Sequence, residues 1–180
     1  MSGHQVSAGG ALVGLLATGS VLTYWYFKHG RKGGGQGIKG DGGGKGRQWI
    51  RLAPFAWAAT LGVMSSLATG GAMGNTAVQV GISSNDLGNQ LLSSLAGADA
   101  PAITRAGTVM LNGWGSICLV IVLLGVLIWL AVSKWGVRIQ LLLGYVAGCT
   151  LGPTAGIAGI AGVVIAPLFN WIGLALVGGL

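Results

Sequence analysis

The chain has 180 residues, of which 52% are hydrophobic and only 7% charged, and its mean hydropathy is +0.74. Soluble domains carry about 25% charged residues, so this composition excludes a water-soluble fold, which would lack the polar surface to cover itself. The formal net charge of +7 comes mostly from one loop, so the basic pI reports a local patch, and no specific nucleic acid partner is expected. What remains is an all-α, multi-pass integral membrane protein, for which about four transmembrane helices plus a short amphipathic helix are predicted.

Met1–Gly10 is polar and lacks Lys and Arg, and the apolar run Ala11–Phe27 ends in Tyr24-Trp25-Tyr26-Phe27 followed by Lys28. Aromatic rings settle at headgroup depth while a lysine reaches water, so residues 1–28 read as a first span with its N-terminus outside. A secretory signal would need its basic residues at the start, and here they lie on the far side.

Residues 29–51 form a Gly-rich, basic linker, predicted to be cytoplasmic. Gly40-Asp-Gly-Gly-Gly-Lys45 imitates a phosphate-binding loop, but the spacing is one residue short and Gly46 stands where Ser or Thr is needed. Arg31, Lys32, Lys39, Lys45, Arg47 and Arg51 instead read as topology signals that attract anionic lipid, each worth about 1 kcal/mol near the surface.

Residues 52–74 make a second, weaker span with Pro54 in its first turn, where proline is tolerated. The same stretch admits another reading. Arg47–Arg51 would be a basic start and Ala72-Met-Gly74 a small-residue cleavage site, so that residues 1–74 form a removable leader.

Residues 75–115 form a polar, extracytoplasmic segment. Leu87, Leu91, Leu92 and Leu95 follow the capping-type residues Ser83-Ser84-Asn85-Asp86 and predict a short amphipathic helix on the membrane or against another subunit. Asp99-Ala-Pro101 predicts a further helix start, and Gly113-Trp-Gly115 a bend before the next span.

Residues 116–162 read as a transmembrane hairpin. Its first arm, Ser116–Ser133, is 18 residues without a charge, about 27 Å of helix. A basic turn, Lys134-Trp-Gly-Val-Arg138, joins it to a second arm predicted from Ile139 to about Ala161. Ile139–Leu180 carries no charge, and one straight helix would be about 63 Å, so Pro153 and Pro167 are the expected breaks. Residues 163–180 form a hydrophobic C-terminal segment whose path is open. Lys134 and Arg138, like the basic linker, belong on the cytoplasmic side by the positive-inside rule.

Gly144, Gly148, Gly152 and Gly156 recur every fourth residue, followed by Gly159 and Gly162. On a helix this stripe lets another backbone approach closely, the main source of helix association in lipid. The partner is either another copy, making a homo-oligomer, or a helix of the same chain. The expectation drawn is that any assembly is held through this second arm.

Catalysis has little to work with. The acids Asp41, Asp86 and Asp99 and the histidines His4 and His29 all fall outside apolar runs, and no metal or nucleophile–base spacing is present. Cys118 and Cys149 read as small packing residues. A non-enzymatic structural subunit is expected, with no cofactor and no metal.

The layout of residues 75–162 resembles the conjugative, F-type pilins of type IV secretion systems. The resemblance is carried by Ser116–Ser133, the turn Lys134–Arg138, Leu141-Leu-Leu-Gly-Tyr-Val-Ala-Gly148 and the polar stretches Gly74-Asn-Thr and Ser83-Ser-Asn-Asp-Leu. It implies a pilin-like or channel subunit of a conjugation or secretion apparatus in the bacterial cytoplasmic membrane, with an extracellular filament as one assembled form. Lys134 and Arg138 would then face lipid phosphate or a filament lumen. The extra N-terminal span, the glycine linker and the long hydrophobic tail depart from that pattern. A phage holin or small pore former, and an accessory subunit of a larger membrane complex, share the same features.

Overall fold

The computed structural model describes residues 6–30, 50–68, 70–97, 102–103, 110–154 and 160–177. They form six α-helices: α1 (Ala8–Trp25), α2 (Ala53–Leu67), α3 (Gly71–Ala96), α4 (Gly113–Val132), α5 (Trp135–Leu151) and α6 (Ile160–Val177). A π-helical turn, Tyr26–Gly30, continues α1, and a 3-10 turn, Ile50–Leu52, leads into α2. Among the described residues, three stretches are long and apolar enough to cross a membrane: Ala8–Lys28, Ile50–Leu67 and Gly113–Val132. Val163–Leu176 is a shorter apolar helix.

The bundle is built around α2. Ala58, Met64, Ser65 and Leu67 have no exposed surface, and Leu61 and Val63 are nearly as deep. Ser65 meets its own polar requirement by donating to the Leu61 carbonyl at 2.8 Å, so burying it strands no donor. The most extensive helix contact joins α2 to α5, and glycine makes it possible. A Cβ at Gly144 would sit 2.5 Å from the Phe55 carbonyl oxygen, and one at Gly148 would overlap the Ala59 carbonyl. At Gly152 a Cβ would lie 3.0 Å from Ser66 Oγ and 3.3 Å from Val63 Cα. From the other side, Gly62 meets the Tyr145 carbonyl, with Gly148 Cα 3.0 Å from its Cβ position. Residue numbers rise together across this interface, so α2 and α5 run parallel.

The neighbours run the other way. Gly14 of α1 lies against Thr150 and Leu151, while Val21 and Tyr24 lie beside Gly136 and Ile139, so α1 is antiparallel to α5. On α4, Leu111 just ahead of the helix donates its N–H to the Leu67 carbonyl at 3.1 Å, and Trp57 Nε1 donates to the Val122 carbonyl at 3.3 Å. α4 is therefore antiparallel to α2. Its buried stripe is Gly115, Cys118, Leu119 and Val122, at helical spacing, while Val120, Ile121, Leu124 and Ile128 are exposed.

Several elements differ from the sequence expectation. The polar segment is not a short helix starting near Ser83 but one 26-residue helix from Gly71, with Ser83–Asp86 in its middle. Ser and Asn act as caps only where local hydrogen bonds have no competitor, and here tertiary packing wins. The buried face of α3 is Gly74, Ala77, Ser84 and Gly88, and Gly88 crosses Gly9 of α1 backbone to backbone. Ser7 donates to Asn89 Oδ1 at 2.9 Å beside that crossing. Leu87, Leu91 and Leu95 point outward. Gly97 ends the helix at φ +63, a left-handed residue that glycine adopts without strain.

The helix start expected at Asp99–Pro101 lies outside the described residues; Ala102–Ile103 pairs antiparallel with Val6–Ser7, and this extended pair satisfies backbone groups just ahead of α1. Gly113-Trp-Gly115 does not bend the chain either. It forms the first turn of α4, capped by the Asn112 side chain, which accepts from Gly115 N at 2.9 Å.

The second arm of the hairpin ends at Leu151, ten residues short of the expected boundary near Ala161, with Gly152-Pro153-Thr154 turning out of the helix. Pro167, the other expected break, sits inside α6. Neighbouring helices and small local adjustments re-satisfy the carbonyl that an interior proline leaves open in an apolar helix. α6 packs chiefly on α4. Asn170 clamps the two, its Oδ1 accepting from Asn112 N at 3.1 Å and its Nδ2 donating to the Met110 carbonyl at 3.4 Å. Gly173 lies against the Trp114 backbone.

Two predictions follow from this packing. Gly148→Leu forces a side chain into the Ala59 backbone and lowers stability by about 3 kcal/mol, whereas Gly19→Leu, whose Cβ meets nothing within 4 Å, changes it by less than about 0.5 kcal/mol. Reversible unfolding in mixed detergent micelles, followed by tryptophan fluorescence, measures both. Asn170→Leu removes both clamp bonds and costs about 1–3 kcal/mol in the same assay.

Candidate functional site

Because α1 and α4 run against α2 and α5, the end of α1, the start of α2, the end of α4 and the start of α5 meet at one end of the bundle. The described cations, Lys28, Arg51, Lys134 and Arg138, sit there. A hollow of about 530 Å³ is lined by Lys28, Arg51 and Lys134 together with Tyr24, Trp25 and Trp129. Lys28 Nζ donates to the Tyr24 hydroxyl at 2.7 Å and lies 5.0 Å from the ring centroid, so the aromatic ring both solvates and fixes the ammonium. Tyr26 and Phe27 continue the aromatic rim, edge to face with centroids 6.0 Å apart.

The turn between α4 and α5 is held by its own polar groups. The Lys134 carbonyl accepts from the Val137 and Arg138 amides at 3.0 and 3.3 Å, opening α5. Arg138 Nε donates to the Ser133 carbonyl at 3.0 Å, satisfying a carbonyl that the end of α4 leaves unpaired. Lys134 and Arg138 therefore serve different ends. The first lines the hollow, and the second ties the turn.

The hollow does not close at the polar end. It shares Tyr24, Gly136 and Gln140 with a second hollow of about 330 Å³, which Val21, Ile139 and Leu143 line with apolar surface. That one shares Ser20 and Leu143 with a third, of about 630 Å³, between Val13, Leu16 and Ala17 of α1 and Leu87 and Leu91 of α3. Together they trace a groove along the α1–α5 seam, cationic and aromatic at one end and mainly apolar beyond, with Gln90 and Ser94 of α3 on its far wall. Ser20 turns its hydroxyl back to the Ala17 carbonyl at 2.9 Å, so it adds no unmet donor to the apolar part.

The residues singled out from sequence are dispersed over two places. Arg51 and Lys134 line the basic hollow; Arg31, Lys32, Lys39, Lys45 and Arg47 lie outside the described residues. Gly144 and Gly148 of α5, with Gly152 at its end, pack against α2 of the same chain; Gly156 and Gly159 lie outside the described residues, and Gly162 belongs to α6 and not to the ladder's helix. Sequence reasoning missed the other half of the interface. Ala58, Gly62 and Ser66 repeat every fourth residue on α2, and that spacing was readable. It also missed Lys28, Tyr24 and Trp129 as one cluster, since no local pattern joins residues that far apart. Cys118 and Cys149 are buried and unbridged, Cys149 Sγ lying 3.6 Å from the Gly62 carbonyl. Among the described residues, no three His, Cys, Asp or Glu side chains gather as metal ligands. Comparison with protein-family models, with characterised proteins and with solved structures returned no match.

Proposed function

We propose that the chain is a non-enzymatic structural subunit of a membrane apparatus, of the conjugation or secretion type, that works as an intact bundle in the bacterial cytoplasmic membrane. The observation that supports the intact-bundle part of this reading is the burial of α2, while the conjugation or secretion part rests on the resemblance of layout. Ala58, Met64 and Leu67 have no exposed surface, and the most extensive helix contact in the bundle is between α2 and α5. A pilin processed after Gly74 would lose α1 and α2 together, and α5 would lose the backbone against which its glycines lie. The intact subunit is therefore favoured over the released filament subunit.

Large side chains also point outward on several helices, among them Leu15 and Leu16 of α1, Ile128 of α4 and Trp171 of α6. Such a surface is stable in lipid or against apolar partners and would aggregate in water. By the positive-inside rule, Lys28, Arg51 and Lys134, together with the cations of the linker sequence, support a cytoplasmic basic end.

A tagged full chain expressed in a bacterial host tests both parts. The expected result is a band that stays with membranes through an alkaline carbonate wash, has the full-length mass, and migrates after mild detergent extraction in a complex larger than the monomer. A mass lacking residues 1–74 overturns the intact-bundle reading, and a monomer without partners overturns the subunit reading. Cysteines introduced at Gly136 are expected to react only after the membrane is permeabilised, and those at Gly97 from outside. The opposite pattern overturns the orientation.

A further inference from the structure

We infer that copies of the chain associate through the outward face of α3, where a stripe of amide and hydroxyl side chains meets the same stripe of a second copy. The inference rests on the subunit reading above and adds to it the surface and the partner.

Six exposed polar residues of α3, Asn75, Gln79, Ser83, Asp86, Gln90 and Ser93, recur once per helical turn. At about 100° per residue they fall within an arc of about 80°. That arc lies opposite the packed face formed by Gly74, Ala77, Ser84 and Gly88. From Asn75 to Ser93 the stripe is about 27 Å long. Among the described residues, the side chains of Asn75, Gln79, Asp86 and Gln90 have no hydrogen-bond partner. Asn89, turned nearer the bundle, is partnered by Ser7 at 2.9 Å. The unmet groups are therefore confined to the outward face.

The chemistry of the stripe selects a second copy over water and lipid. Surfaces built for water carry about one charged residue in four, whereas α3 has Asp86 as the one charged residue among its 26. Hydrocarbon offers amides no partner at all. A second copy does. Each amide carries donors and acceptors together, and a hydroxyl both donates and accepts, so the stripe is complementary to itself across a two-fold axis. Asp86, which when ionised only accepts, draws on the amides of the other copy. The remaining surfaces suit this task less well. Gly144, Gly148 and Gly152 already lie against α2 of the same chain. The outward leucines of α1 and α4 gain little by leaving lipid for one another, while hydrogen bonds between helices do hold them together there.

The test treats full-chain variants Asn75→Cys, Gln79→Cys, Ser83→Cys and Gln90→Cys, each in intact membranes, with a short bismaleimide. Linked dimers are expected from these stripe positions. They are not expected from Val78→Cys, exposed on another face of α3, or from the wild-type chain, whose Cys118 and Cys149 are buried. In detergent, Q79L/Q90L is expected to weaken self-association about tenfold, read by native mass spectrometry over a dilution series. Stripe positions that link no better than Val78→Cys overturn the proposal, and their reaction with a soluble maleimide would then place the stripe in water. Unchanged self-association of the double variant overturns it as well. Circular dichroism reports whether that variant folds; where it does not, the cysteine series decides. A larger complex that holds a single copy of the chain overturns this proposal and leaves the subunit reading standing, whereas a monomer without partners overturns both.

Discussion

The contact on which the bundle depends is backbone against backbone, where α5 lies on α2. In water, burying leucine drives helices together; in lipid that gain is nearly absent, because hydrocarbon surrounds the helix either way. What remains is close packing, and it requires that Cβ atoms be missing where the main chains meet. Gly144, Gly148 and Gly62 supply that, with Gly152 against Val63 and Ser66 closing the end. The consequence reaches the whole topology. A parallel α2 and α5 both begin on the same side; α4 turns directly into α5 and so ends there, and α1, packed antiparallel on α5, ends there as well. The basic residues flanking these four ends are thereby collected at one face without any attraction between them.

The same rule orders the rest of the molecule by size and not by polarity. Gly9, Gly10, Gly14 and Ala17 are the buried side of α1, and Gly74, Ala77, Ser84 and Gly88 that of α3. Leu15, Leu16, Leu87 and Leu95 are outside. Ser65 and Thr150 can be buried because each finds a carbonyl in its own helix, that of Leu61 and that of Val146. This is the arrangement expected where the solvent is apolar, and it explains how a helix as polar as α3 lies among such hydrophobic neighbours.

That ordering also explains how much of the fold was legible. Continuous apolar runs marked α1, α2 and α4, and the basic turn at Lys134–Arg138 marked the joint between α4 and α5. These are signals of composition, which survive without knowledge of neighbours. α3 was misjudged because Gly, Ser and Asn argue locally for turns and caps, while their value here lies in what they allow to approach. Pro167 was misjudged for a related reason, since its effect on a helix depends on what surrounds it. The glycine stripe was visible, but its partner on α2 was overlooked because Ala58, Gly62 and Ser66 mix residue types. The seam was beyond reach, as its lining comes from α1, α3, α5 and the turns beside them.

The seam itself is a product of where small residues stop. At one end α1 is drawn onto α5 by Gly14, whose Cβ position falls against Thr150 and Leu151. Further along, α1 offers no glycine to α5: Gly19 faces open space, and the next contacts are the larger Val21 and Tyr24. On α5 the ladder faces α2, and Gly136 meets nothing. The two helices are therefore held together where glycine permits and stand apart where it does not. The gap opens towards the end where Lys28, Arg51 and Lys134 gather, so one packing rule both concentrates the charge and leaves room beside it.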